Sequence, residues 1–369
     1  MNSSLSWVCS PVRSADAGAA SVPYGHGVAV GGVLKRSREL VRPALVEAVG
    51  RLHPWTGEMA AYALGWSDAS GTPGRGGSEG KGVRQALAVL GAEAVGADGG
   101  VAVAGAVAVE LVHTFSLMHD DIMDGDGLRR QRPAVWKAYG TGPAVLAGDA
   151  IHALAVQCLA EAPGPFTGDA VRRLCGTLNA LVSGQAEDLR FERHPWSGTG
   201  AVGPDQYRSM AEDKTGALLG CAIALGATLG GAPSATVAVL ERAGRQLGVA
   251  FQVVDDLLGI WGDPAVTGKP VHGDLRLRKK TYPVLAALAG TGAAARELAV
   301  LLDSPEPFDS ATATRAAALV EEAGGRAATR EEARRHLDAA RHGLREVPLA
   351  PGAAADLDAL FAYLLDRSW

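Results

Sequence analysis

Two carboxylate clusters, each closing a long apolar run, constrain this chain more than any other feature. They are His119-Asp120-Asp121-Ile122-Met123-Asp124 and Phe251-Gln252-Val253-Val254-Asp255-Asp256. On a helix, acids at i and i+4 share one face a turn apart, so Asp120 and Asp124 stand together with Asp121 beside them. The apolar residues upstream imply that this face is partly buried. Like charges there repel and lose hydration, which is costly unless something positive compensates. No lysine or arginine lies within the cluster itself. A hard divalent cation, Mg2+ above all, meets this need, and Mg2+ held by few carboxylates usually holds phosphate oxygens as well. The residues point to metal-dependent chemistry on a diphosphate.

The rest of the chain bounds the fold. Its 369 residues suffice for one large or two medium domains with a substantial core. Apolar residues make up 47%, much of it Ala, Val and Leu, and aromatics only 5%. Such a composition, with no sustained two-residue alternation, predicts an all-α fold. A net charge of -5 argues against a general nucleic-acid binder. Cys9, Cys158, Cys175 and Cys221 show no metal-binding spacing, and reduced thiols fit a cytoplasmic protein. The N-terminus carries no basic segment followed by an apolar core, so a secretory signal is not expected. The apolar stretch 101–118 is long enough to raise the question of a membrane span, but Glu110 and His113 interrupt it. A core helix is the expectation there, and no transmembrane segment.

Residues 1–33 read as a flexible extension, and 34–369 as a single helical catalytic domain without repeats. Helical spacing runs over 34–66, with Pro43 and Pro54 as expected boundaries, then 83–97 and 101–124. Further helices are expected at 143–161, 168–190, 204–230, 234–262, 280–303, 311–323, 328–344 and 352–367. Loops are expected at 67–80, 191–203 and 263–279. On the helix ending at Asp124, Glu110, His113, Leu117 and Asp120 recur every three or four residues. This mostly polar stripe on a greasy rod is the pattern of a helix that lines a cavity.

Basic residues fall where phosphate groups need them: Lys81 and Arg84, Arg129 and Arg130, Lys214, and Lys269. The two neighbouring arginines are suited to bidentate bonds close to the first acidic cluster. Taken in order, these stretches carry a family resemblance. The run from Glu110 to Asp124, followed by Leu128-Arg129-Arg130-Gln131-Arg132-Pro133, resembles the first aspartate-rich motif of trans-isoprenyl diphosphate synthases. Gly184-Gln185-x-x-Asp188, Lys214-Thr215-Gly216, Phe251-Gln252-x-x-Asp255-Asp256 and the segment from Gly268-Lys269-Pro270 to Asp274-Leu275, with Lys279-Lys280, are similar to that family's later motifs.

The resemblance implies an all-α, isoprenoid-synthase-type bundle around a deep central cavity, in a homodimer. It implies that Asp120, Asp124 and Asp255 hold Mg2+, three ions with substrate bound, against an allylic diphosphate that Arg129, Lys214 and Lys269 also grip. It assigns Lys81, Arg84, His113 and Arg130 to isopentenyl diphosphate. It puts Thr215 and Gln252 beside the reacting carbons, and Asp121 and Asp256 among the catalytic residues. The expected reaction is head-to-tail condensation of isopentenyl diphosphate with dimethylallyl, geranyl or farnesyl diphosphate. Ser116, one turn before Asp120, leaves the direction below the cluster open, while Phe115 is bulky but points aside. In the family that pattern resembles short-chain enzymes making geranylgeranyl diphosphate, with farnesyl diphosphate the rival product.

Two motifs depart from the family pattern. Gly-Lys-Arg-x-Arg-Pro reads Gly80-Lys81-Gly82-Val83-Arg84-Gln85, and the last aspartate of the second cluster is Gly259. Asp263 lies about 12 Å along the helix from Asp255 at ~1.5 Å per residue, too far to stand in for it. Asn179-x-x-x-Ser183-x-x-x-Glu187 matches the second metal motif of terpene cyclases in spacing, but follows the first cluster too closely. A terpene cyclase is therefore the first alternative, and a non-catalytic subunit of a heteromeric synthase the second.

Overall fold

The computed structural model describes residues 25–74, 80–264, 271–306 and 308–365. The first helix, α1 (Gly25–Gly50), begins before residue 34 and continues through Pro43, which was expected to end it. Val30 and Val33 lie in the core beside Val41, Leu45 and Val49. Pro43 is solvent-exposed, so water can satisfy the carbonyl that its missing N–H leaves unpaired. Burial of the other face carries the helix through. Residues 1–24, the remainder of the expected extension, lie outside the described residues.

Pro54 does open a helix, α2 (Pro54–Ala63), where its missing N–H costs nothing. Then come α3 (Val83–Ala94), a 3-10 turn (Gly99–Ala102) and α4 (Val103–Met123). A hairpin pairs β1 (Leu128–Arg129) with β2 (Arg132–Pro133), in register Arg129 to Arg132. The helices α5 (Val135–Tyr139), α6 (Thr141–Ala160) and α7 (Thr167–Phe191) follow. The span expected as one helix over 204–230 is three pieces: α8 (Pro204–Ala211), a π-helical turn (Glu212–Gly216) and α9 (Ala217–Leu229). Next is α10 (Ser234–Trp261), and the expected loop after it holds a short helix, α11 (Gly273–Arg276). The stretch 280–303 breaks at Gly290 and Gly292 into α12 (Tyr282–Leu288) and α13 (Ala293–Asp303). The chain closes with α14 (Ser310–Glu322), α15 (Gly325–Arg345) and α16 (Pro351–Leu365).

The most enclosed helix is α9, buried from Ala217 to Thr228, as a helix apolar on every side must be. It packs against α3 and α10 at backbone distance. A Cβ on Gly226 would lie 1.9 Å from the carbonyl oxygen of Ala88. Helix α4 is sandwiched between α3 and α6, and most of its apolar stretch is inside the molecule, as expected of a core helix. Among the described residues, Gly99–Met123 and α6 are both long and apolar enough to cross a membrane by length and composition. Helix α6 is the less covered of the two, with Val145 and Leu146 exposed.

Glycines also position the π turn. A Cβ on Gly184 of α7 would meet the backbone nitrogen of Lys214 at 2.3 Å, and one on Gly248 of α10 would meet the Cα of Gly216 at 2.3 Å. The turn is thus clamped between two helices, which holds Lys214 and Thr215 at a fixed depth. Such π segments recur at functional sites. Gly248→Ala is expected to destabilise the protein by about 1–3 kcal/mol through overpacking. Thermal unfolding would register this as a lower melting temperature, and an unchanged value would show that the clamp has slack.

Candidate active site

The first acidic cluster closes α4, with Asp124 as its C-cap. Carboxylates there meet the negative end of the helix dipole as well as one another. Burial raises the Asp120 carboxyl to about 6, with Lys214 opposing and Asp124 adding to the rise. Asp121 is buried and bonded to the Arg129 guanidinium, whose Nε lies 2.9 Å from its Oδ1. Asp124 accepts from Lys279 Nζ at 2.8 Å. Burial works to lower the Lys279 ammonium, yet its bond to Asp124 and the nearby Asp274 carry it upward. Lys214 pairs with Asp188 of α7 and also feels Asp120 and Asp124. The cations absent from the cluster's own sequence are delivered by three separate parts of the chain.

The second cluster repeats this division. Asp255 is exposed and makes no ion pair among the described residues, whereas Asp256 is buried. Asp256 accepts from the Tyr207 hydroxyl, from the Tyr282 backbone N–H at 2.8 Å and from Gln252 Nε2 at 3.2 Å. Burial still pushes its carboxyl up to about 7. Gln252 Oε1 in turn accepts from Thr215 Oγ1 at 2.7 Å, joining α10 to the π turn. The missing aspartate at 259 has a physical counterpart. A Cβ on Gly259 would lie 1.8 Å from Asp274 Oδ2. The Asp274 carboxylate, from α11, fills the space that a side chain at 259 would take. Lys279 ties this region to the first cluster, because it bonds Asp124 and interacts electrostatically with Asp274.

A basic cleft opens beside the first cluster, lined by His113, Asp121, Arg129, Arg130, Arg132 and Glu110 among others. The hairpin that presents these arginines turns through Arg130 (φ 52) and Gln131 (φ 62), a two-residue turn with both residues left-handed. Several contacts hold it. Tyr62 Oη donates to the Pro133 carbonyl at 2.6 Å, Arg132 Nη2 donates to the Ser67 carbonyl at 2.8 Å, and Arg132 stacks over the Tyr62 ring. Burial lowers the His113 imidazole well below its usual range, and Arg84, Arg130 and Arg129 push the same way, so it is neutral near pH 7. Burial also lowers Arg84, to about 10, against the pull of Glu110, and its Nε has no hydrogen-bond partner among the described residues. Lys81 stands at the rim, exposed, 5.4 Å over the Tyr363 ring.

Of the residues singled out in the sequence, Asp120, Asp121, Asp124, Lys214, Thr215, Gln252 and Asp256 are tied together by these contacts. His113, Arg129 and Arg130 line the cleft, Arg84 interacts with His113 and Glu110 without lining it, and Lys269 lies outside the described residues. Lys280, next to Lys279, is buried instead over the Trp196 ring at 3.6 Å. Sequence reasoning missed Tyr207, Tyr282, Asp274 and Lys279 as site partners. Asp274 and Lys279 stood only within a resembling segment, and the two tyrosines carried no signal. The cyclase-like spacing is a coincidence of the outer face of α7: Asn179 and Ser183 are exposed and Glu187 pairs with Arg190.

Comparison with known proteins agrees with this geometry. A family model described as polyprenyl synthetase matches residues 76–320. A geranylgeranyl diphosphate synthase of Mycobacterium tuberculosis is 45% identical over 311 residues, covering 83% of this chain and 85% of its own. A (2E,6E)-farnesyl diphosphate synthase of Mycobacterium bovis is 43% identical over 338 residues, covering 91% and 92%. The crystal structure of a polyprenyl synthetase from Streptomyces coelicolor matches with a TM-score of 0.84 at 46% identity, over 91% of this chain and 99% of that one. A match over most of the chain makes this helical protein a member of the polyprenyl synthetase family, a prenyltransferase of the short-chain prenyl diphosphate synthase type.

Proposed function

We propose that the enzyme condenses isopentenyl diphosphate with an allylic diphosphate in a Mg2+-dependent, head-to-tail reaction whose main product is geranylgeranyl diphosphate. The observation that carries the reading is the first acidic cluster standing at the edge of a cleft rich in guanidinium groups, with Lys214 and Thr215 of the π turn reaching toward it and toward Gln252 beside the second. One anion needs metal and the other needs only fixed cations, which is the demand of two diphosphates in one reaction.

The donor set fits Mg2+. Burial raises Asp120, and among the described residues Asp255 makes no ion pair and Asp124 pairs with Lys279. Among the described residues no three such side chains form a preformed cage. None is needed, because Mg2+ keeps waters and takes phosphate oxygens as ligands. Asp120, Asp124 and Asp255 would hold the metal, and Mg2+ when bound would supply charge compensation to the leaving diphosphate. Lys214 and Arg129, and Lys269 by family resemblance, would stabilise the same developing charge from fixed positions. Thr215 spends its only hydroxyl proton on Gln252, so its oxygen stays electron-rich toward a passing carbocation. Neutral His113, with Lys81, Arg84 and Arg130, would hold isopentenyl diphosphate so that its double bond attacks within reach. The released diphosphate can take the final proton.

Product length follows from the floor beneath Asp120. Ser116 is small, and its hydroxyl turns back to the His113 carbonyl at 2.9 Å. Phe115 is stacked on His152 of α6 at 4.8 Å and 17°, with its edge toward His119. Relatives named for geranylgeranyl and for farnesyl diphosphate both support a short product. We also propose a homodimer, supported by Val145 and Leu146 on α6 and Val182 on α7, all exposed. The free thiols of Cys158, Cys175 and Cys221 support a reducing, cytoplasmic setting.

Purified protein given Mg2+, isopentenyl diphosphate and farnesyl diphosphate is expected to yield a C20 product. Termination at C15 from geranyl diphosphate would overturn the product assignment. Geranyl diphosphate alone is expected to give no hydrocarbon, and activity of the chain by itself excludes a purely regulatory role. Ser116→Phe should shorten the main product by at least one five-carbon unit, read by chromatography of the dephosphorylated alcohols. Asp120→Asn is expected to lower kcat by roughly 10²–10³-fold, the scale of losing one charge-stabilising group. A loss of only a few-fold would remove Asp120 from the metal site.

A further inference from the structure

The arginine that the family pattern places at position 82 is glycine here, but the space beside it is not without a guanidinium. Arg38, from α1, lies against it: a Cβ on Gly82 would be 3.7 Å from Arg38 Nε and 3.9 Å from Nη2. Arg38 Nη2 donates to the Gly80 carbonyl at 3.2 Å, while Arg130 packs on Gly80 from another direction. A second, smaller depression is lined by Arg38, Arg42, Gln85, Gly80 and Glu110, and shares the last two with the basic cleft. The basic neighbours of Arg38 on α1 are committed, Lys35 to Glu39 and Arg36 to Glu93. Arg38 forms no ion pair within 4 Å among the described residues. Glu110 feels the charge of Arg38 together with those of Arg84 and Arg130. Glu110 thus stands among three guanidinium groups, near the buried Nε of Arg84, which has no hydrogen-bond partner among the described residues.

We infer that Arg38 is a diphosphate-binding residue of the isopentenyl diphosphate site, supplying from α1 the guanidinium absent at Gly82. The inference rests on the substrate reading above. The anion is gripped on the Gly80–Arg84 loop from two sides, by Arg38 from α1 and by Arg130 from the hairpin. Because the guanidinium belongs to another helix, the charge reaches the site without a bulky residue at position 82, whose φ of +70° suits glycine.

The test is calorimetric titration of isopentenyl diphosphate into the wild type, R38Q and R38K without allylic substrate, together with steady-state kinetics. R38Q keeps a donor for the Gly80 carbonyl but removes the charge. It is expected to weaken isopentenyl diphosphate binding and raise its KM roughly tenfold or more, the scale of a charge-assisted hydrogen bond. The KM for the allylic substrate should change less than twofold, and R38K should recover part of the loss. Unchanged binding in R38Q would refute the inference, showing that Arg38 only props the loop. Equal losses for both substrates with a lowered melting temperature would also refute it, as a structural effect. If the wild type itself does not bind isopentenyl diphosphate, the substrate reading fails and the inference with it. If the wild type binds and R38Q binds equally well, only the role of Arg38 fails.

Discussion

Carboxylates at the end of a buried apolar helix are the constraint around which this molecule is arranged. At Asp120, Asp121 and Asp124, mutual repulsion, lost hydration and the helix dipole all act against the charged forms. The structure answers with cations from outside the cluster: Arg129 from the hairpin, Lys214 from the π turn and Lys279 from the segment after α11. Each is also a group that a diphosphate can recruit. These pairings hold the site's positive charges in place.

Within each cluster the two adjacent aspartates do different work. Asp121 and Asp256 are buried and bonded to protein donors, Arg129 for one and Tyr207, Tyr282 and Gln252 for the other. Asp120 and Asp255 are more accessible. Neighbours on a helix point about 100° apart, so one of a pair can anchor the helix while the other meets the ligand. The anchoring member carries coupling outward. Tyr282 also bonds the buried Glu332 of α15 at 2.9 Å, linking the second cluster to the C-terminal helices.

Both departures from the family pattern have the same physical form. Where a side chain is missing at Gly259 or Gly82, a group of the same charge approaches from another helix, Asp274 in one case and Arg38 in the other. A glycine makes room for such an approach, whereas a larger residue would exclude it. Charge at a site belongs to the space and not to the position in the chain.

The all-α class, α4 with its polar stripe and the two acidic clusters were legible in the chain itself, because helical periodicity and local spacing are properties of neighbouring residues. So were Arg129 and Arg130, which line the cleft. The π turn was not legible, since it depends on Gly184 and Gly248 bringing α7 and α10 against it. The hairpin was equally hidden, because Arg130-Gln131 lacks the glycine or asparagine that such a turn favours, and contacts from Tyr62 and Ser67 impose it. Pro43 misled for the opposite reason: a local rule yields when a helix can bury one face and leave the flawed carbonyl in water. By itself the sequence determined which charges this protein must accommodate. Only the tertiary structure decided which cation meets which carboxylate, because those partners are far apart along the chain and are joined by packing alone.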